Sequence, residues 1–417
     1  MNAPSGFGRR NAASPRPVVA SGAAEAPAFE ASPHAWVLES EKDLIPRPPF
    51  AAVGILIVLT LIYLGEQAFG FEPGATQSYR SLVAFGAASG DLVMRDGQWW
   101  RALTAILLHG GWEHLIGNGV ALLIAGVLLE KSLGRVWFAA IFVLGGLAGS
   151  IASLSSNPPA VISVGASGAI MALLVPSLIE AFGNETAYTP RYARRMAMTM
   201  TVSALIPTSG HVDYTAHAGG ALAGGILGYA LLFAIPELHA SAKGRLFAGG
   251  VVIAGLIAAV VSFALAATHY ADYAARNAAL MPDGQLAKVE IGGAKGVSDA
   301  DDDLSTKLLN QYPGDPRAHL LRAAVLLHDR QIYAAEDELR AGLADRDVLN
   351  RDLPPGTEAY MHGLLAGVLM AEGRREEART EAQPVCAGGQ FSTTTSRLRD
   401  ALRKEGACDA QADAKPN

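Results

Sequence analysis

Between Phe50 and Thr268 the chain carries seven apolar segments almost free of charge, and nothing else in the sequence constrains the fold as strongly. They lie at about 50–69, 113–129, 136–154, 164–182, 196–207, 214–235 and 246–268, and they predict membrane-spanning helices. The fifth, MAMTMTVSALIP, is the weak one. About 12 residues of helix reach roughly 18 Å, well short of a ~30 Å hydrocarbon core. That segment must thin the bilayer or lie where other protein covers it. Composition agrees with a polytopic membrane protein: half of the 417 residues are apolar and 17% are charged, whereas a soluble domain carries roughly a quarter. A net charge of −6 and the lack of a basic block argue against a nucleic-acid partner. Residues 1–48, rich in Ala, Pro and Ser and without the apolar core of a secretory signal, read as a disordered cytoplasmic tail.

Loop charges set the expected orientation. Lys42 and Arg47 precede the first segment, Lys131 and Arg135 follow the second, Arg191, Arg194 and Arg195 follow the fourth, and Lys243 and Arg245 follow the sixth. The loops SSNPPAVIS and TSGHVD on the other side contain no Lys or Arg, although the long first loop carries Arg80, Arg95 and Arg101. The positive-inside rule then places the N-terminus in the cytoplasm and, after seven spans, the C-terminus outside.

Beyond the last span the composition turns soluble and helical. RAAVLLHDRQIYAAEDEL and LAGVLMAEGRREEARTEA share a small-small-Val-Leu run and a polar turn, with Ala335 and Ala378 on the second helix. Residues 300–406 therefore read as an extracytoplasmic α-helical domain, either tetratricopeptide-like hairpins at an unusual 43-residue offset or a generic helical bundle, with 407–417 a disordered end. Such a domain could dock a protein partner. Cys386 and Cys408 fall within it, and an oxidising compartment would pair them, whereas a reducing one would leave two thiols.

Ionisable and nucleophilic side chains are costly inside a bilayer and are usually functional. The second segment opens on HGGWEHLIGN, with His109, His114 and Asn118; the fourth on VGASGA, with Ser167 between Gly165 and Gly168; the sixth on DYTAHAGGALAGG, with His217 ahead of Gly220 and Gly224. All three segments run from outside to inside, so these groups fall at one shallow depth. A Ser hydroxyl needs a base, and His titrates in the range for that work. Asp213 lies nearer the surface than His217, so a Ser-His dyad is expected rather than a triad. Asn118, His114 and the Ser167 N–H would serve a developing oxyanion, and Gly165 and Gly168 would allow close backbone approach. Glycines at 220, 224 and 228 repeat every four residues and would let the sixth helix approach the fourth closely. No metal or cofactor is expected, since the set lacks carboxylate or Cys ligands.

From about Gly86 to Leu232 these residues resemble the rhomboid family of intramembrane serine proteases, through GQWWRALTAILLHGGWEHLIGN, GASG and AHAGG in that order. The resemblance implies an all-α polytopic fold: a six-helix core over 49–236, here followed by a seventh transmembrane helix at 245–268 and the small soluble domain. It implies Ser167 as nucleophile, His217 as base, and His114 and Asn118 around the oxyanion. Trp100 and Arg101 match the family's Trp-Arg pair, with Trp100 at the interface and Arg101 snorkelling to headgroups or capping the loop. The implied reaction is cleavage of transmembrane protein substrates near the outer face, in a multi-pass protein of a bacterial inner membrane. Three positions depart from the pattern. Met171 stands where many members place an aromatic against the catalytic His, Gly117 where Phe is common, and Tyr214 where a small polar residue is frequent. The rival readings are a catalytically silent relative that binds membrane clients and a transporter. A transporter would instead place its polar groups near the bilayer midplane.

Overall fold

The computed structural model describes residues 48–72, 74, 76–183, 191–206, 212–286, 299–354, 356–387 and 393–408. The N-terminal tail, most of the TSGHVD loop and the last nine residues lie outside this set. Among the described residues the chain is all-α, with two isolated bridges, Thr76–Gly111 and Ala88–Ser163, and no strand.

Among the described residues, five helices are long and apolar enough to cross a membrane: α1 (Phe50–Phe69), and, beyond the short loop helices α2 (Tyr79–Phe85) and α3 (Arg101–Leu107), α4 (Trp112–Leu133), α5 (Arg135–Ser156), α8 (Tyr214–Tyr229, continued by a π-turn over Ala230–Ala234) and α10 (Ala242–Ala278). Between α5 and α8 lie the apolar α6 (Ser167–Gly183) and α7 (Arg191–Leu205). The short α9 (Pro236–Ala240) links α8 to α10. At 15 residues, α7 spans roughly 22 Å and covers most of the short fifth apolar segment of the sequence.

Glycine decides how closely these helices meet. A β-carbon at Gly220 would lie against the Gly168 carbonyl, one at Gly224 against the Ala172 backbone, and one at Gly228 against Pro176, so α8 packs backbone-to-backbone on α6. Gly145 and Gly149 of α5 meet Ala172 and the Ala216 carbonyl in the same way. At the opposite end, Glu130 of α4 accepts hydrogen bonds from the Ala51 and Ala52 N–H groups at 3.1 and 2.7 Å. Those are first-turn donors of α1 that have no partner within their own helix.

α10 runs 37 residues, about 55 Å, and continues ten residues past Thr268, where the apolar signal ends. Its overrun packs on the first loop. Tyr270 lies 5.6 and 5.9 Å, ring to ring, from Phe71 and Phe85, and its hydroxyl donates to the Phe69 carbonyl at 2.5 Å. The turn after α10 leads into α11 (Asp283–Leu286) and is held by charge. Buried Arg80 bonds Glu72 at 2.8 Å and the Met281 carbonyl at 3.0 Å, while Arg317 is bonded to Asp315, Asp283 and Met281.

The C-terminal domain comprises α12 (Asp299–Gln311), two hairpins, α13 (Pro316–His328) with α14 (Ile332–Ala344) and α16 (Thr357–Ala371) with α17 (Arg375–Cys386), the intervening α15 (Arg346–Arg351), and α18 (Thr393–Lys404). The hairpins repeat each other in detail. His319 pairs with Glu338 at 2.7 Å and, 43 positions on, His362 pairs with Glu381 at 2.6 Å. Both turns close through a left-handed residue at matching positions, Arg330 (φ 59°) and Gly373 (φ 80°). Cys386 and Cys408 form a disulfide that ties the chain beyond α18 to the end of α17.

Candidate active site

Ser167 begins α6, so the backbone N–H groups of its first turn point out of the helix without intrahelical acceptors. The loop before it is pinned on two sides. Ser163 exchanges backbone hydrogen bonds with Ala88 at 2.7 and 3.2 Å, and the Gly165 N–H donates to the Ala105 carbonyl at 2.8 Å. Gly165 adopts φ 120°, a conformation that side-chain-bearing residues rarely reach. A β-carbon there would also come within 2.6 Å of His114 Cε1 and 3.6 Å of Asn118 Nδ2. The glycine therefore serves two ends: it turns the chain into α6 and leaves room for both α4 side chains beside the loop that carries Ser167.

His217, 6% exposed, lies in the first turn of α8. The preceding Ala216 carbonyl would sit 3.1 Å from a β-carbon at Gly168, so the residues flanking Ser167 and His217 touch. No hydrogen bond joins the two side chains in this structure. His217 Nδ1 is instead 2.6 Å from the Ala204 carbonyl of α7, and its ring meets Tyr214 edge-on at 6.1 Å. Met171, at the position singled out in the sequence, is buried in the core beneath.

His109 is fully buried beside the site. Asn118 Nδ2 lies 3.0 Å from its Nε2, its ring lies 5.2 Å from that of His114, and its backbone N–H donates to the buried carboxylate of Glu66 in α1 at 3.3 Å. Sequence reasoning did not reach Glu66.

It also left Asp213 without a role. Asp213 caps α8 through the Ala216 N–H at 3.0 Å and accepts from Ser153 and Ser163 (both 2.6 Å), Asn157 (3.0 Å) and Thr215 (2.7 Å). Burial alone would push its carboxyl pKa up; these donors outweigh burial and hold it below the usual carboxylate range. Its oxygens join α5, the loop before Ser167 and α8.

Arg101 does not snorkel. It is fully buried, and its guanidinium donates to the Val83 and Ala87 carbonyls at 2.7 and 2.9 Å, to Gln98 at 2.5 Å and to the Tyr273 hydroxyl at 3.0 Å. Of the two roles considered for it, capping the loop is the one the structure adopts. The guanidinium fork supplies the reason: one fixed cation meets the Val83 carbonyl of α2 and the Ala87 carbonyl just beyond it at once. Trp100 stacks beside it, 4.6 Å from the Arg101 carbon and 5.9 Å from the His269 ring.

A family model for the rhomboid domain matches residues 96–234. RHOMBOID-like protein 5 of Arabidopsis thaliana is 37% identical over 158 residues, covering 37% of this chain and 51% of its own length. Rhomboid protease GluP of Bacillus subtilis is 32% identical over 209 residues, half of this chain and 39% of GluP. The chain thus spans about half or less of these relatives. The putative rhomboid protease YdcA of Bacillus subtilis is 32% identical over 140 residues, a third of this chain but 69% of YdcA. The matched stretch holds Ser167, His217, His114 and Asn118 together with Trp100 and Arg101, and the chain belongs to the rhomboid family of multi-pass membrane proteins.

Proposed function

We propose that this protein is an intramembrane serine endopeptidase acting through Ser167 and His217. The observation that carries the proposal is the convergence of three helices: α4 lays His114 and Asn118 against Gly165, while α8 lays Ala216 and Gly220 against Gly168. A nucleophile, a base and oxyanion donors thereby share one end of the helix bundle.

In this reading His217 Nε2 takes the Ser167 hydroxyl proton as Oγ bonds to the substrate carbonyl carbon. The carbonyl oxygen becomes an oxyanion, held by the Asn118 amide, His114 and the first-turn N–H of α6. On collapse the C–N bond breaks, and His217 returns its proton to the leaving amine. Water, activated by the same histidine, then hydrolyses the acyl-enzyme. The substrate is a transmembrane segment that unwinds near the outer face, since an intact helix keeps its amides bonded. It enters from the bilayer past α7, the helix of the short fifth apolar segment.

Loop charge, the packing of the α10 overrun on the first loop and the Cys386–Cys408 bond together support a cytoplasmic N-terminus and an extracytoplasmic C-terminal domain. The test is cleavage of a tagged single-span reporter in membranes. Cleavage by the wild type and none by Ser167→Ala or His217→Ala is expected, whereas cleavage persisting in either variant would refute the dyad. An uncleaved but co-purifying reporter would favour a silent, client-binding relative.

A further inference from the structure

A Ser-His dyad leaves open what fixes the imidazole, and Met171, one turn after Ser167, offers it no polar partner. With Asp213 engaged elsewhere, the polar contact at the His217 ring is the Ala204 carbonyl, 2.6 Å from Nδ1. Ala204 lies in the last turn of α7, where helix carbonyls have no donor within the helix. A carbonyl can only accept. The contact therefore requires Nδ1 to carry the proton, which leaves Nε2 unprotonated in the neutral ring.

We infer that the C-terminal carbonyl of α7 is the orienting third partner of the dyad, performing through the backbone the task that a carboxylate performs in a triad. Ala204 is thus a positioning residue: it sets the tautomer and tilt of His217 and stabilises the imidazolium that forms when Ser167 gives up its proton. No side-chain chemistry is needed at 204, which is why an alanine can fill the role. The inference rests on His217 being the general base, and it adds a consequence: the helix flanking the expected substrate entry also aligns the base.

Nitrogen NMR of His217 in the full-length protein in bicelles, together with a backbone ester, tests it. Replacing Leu205 by its α-hydroxy acid turns the Ala204 carbonyl into a weaker ester acceptor. The same replacement at Ser203 removes one helix N–H and weakens the Val202 carbonyl instead, and serves as the control. The wild type and control are expected to show the neutral ring protonated at Nδ1, and the 205 ester to shift population toward the Nε2–H form. Fluorophosphonate labelling of Ser167 is expected to slow by about three- to tenfold in the 205 ester relative to the control, the range for one hydrogen bond. A wild-type ring protonated at Nε2, or a 205 ester that matches the control in both readouts, overturns the inference. If wild-type Ser167 does not label at all, the enzyme reading fails and the orienting role falls with it. The tautomer would then still report whether the bond exists as a structural contact.

Discussion

Asp213 shows how a residue outside the proposed dyad can hold a site together. Five donors from three segments converge on one carboxylate, and their effect on its titration gives a signed prediction. A carboxyl whose folded pKa lies below the unfolded value, about 3.9, contributes stability that is present above the unfolded pKa. That stability is lost as pH falls through the folded pKa. Asp213→Asn should therefore lower the thermal midpoint at neutral pH, by the equivalent of about 1–2 kcal/mol for a charge-assisted network. The gap from wild type should persist down to about pH 4 and close only below it. Melting curves in detergent from pH 3 to 7 check this, and a gap independent of pH would count against the ionised network. Ser167, His217, His114 and Asn118 were legible because their side-chain types are expensive in a bilayer. Asp213 and the Ala204 carbonyl were not. One looks like an ordinary surface cap, and the other rests its inferred role on an atom that every residue possesses.

Among the elements, the apolar runs translated directly into helices, and the four-residue glycine spacing named the face on which α8 meets α6. The first loop was harder. Its short helices follow no long hydrophobic period, and they are fixed by tertiary partners such as Arg101 and the bridge from Ala88 to Ser163. α10 outran its apolar signal because THYADYAARNAA, though polar, is rich in good helix formers. In the C-terminal domain the repeat was visible in sequence as similar strings, and the matched His–Glu pairs and left-handed turns give it physical content without requiring the tetratricopeptide assignment. The two turns differ in one respect: the first places Arg330 where the second has Gly373. Arg330→Gly should relieve that backbone strain and raise stability by about 0.5–1 kcal/mol, read as a higher melting temperature. A lower one would mean that the Arg side chain contributes more than its φ costs.

For the whole molecule, the C-terminal domain is joined to the membrane core through the first loop, the loop that also braces the turn before Ser167. Tyr270, Tyr273 and His269 pack on it, Met281 and Asp283 bond Arg80, and Arg276 ties α10 to Asp352 at 3.0 Å. Two truncations separate these contributions. A chain ending at 298 keeps every contact between the α10 overrun and the loop, and should keep most of its activity toward a small probe while changing its handling of large substrates. A chain ending at 268 removes the Tyr273 hydroxyl from Arg101 and the Met281 and Asp283 partners from Arg80, along with the aromatic packing of Tyr270, and should lose at least tenfold in activity along with thermal stability, since buried charges left short of partners are costly. Equal activity of the two truncated chains would show that the loop holds its shape unaided.

The central claim, that Ser167 is a nucleophile activated by His217, is tested most directly by fluorophosphonate labelling in membranes, with the modified peptide located by mass spectrometry. The account predicts one adduct, on Ser167, in the wild type and none in Ser167→Ala or His217→Ala when both variants retain the wild-type melting profile. An adduct on another residue, or equal labelling of all three proteins, would contradict it.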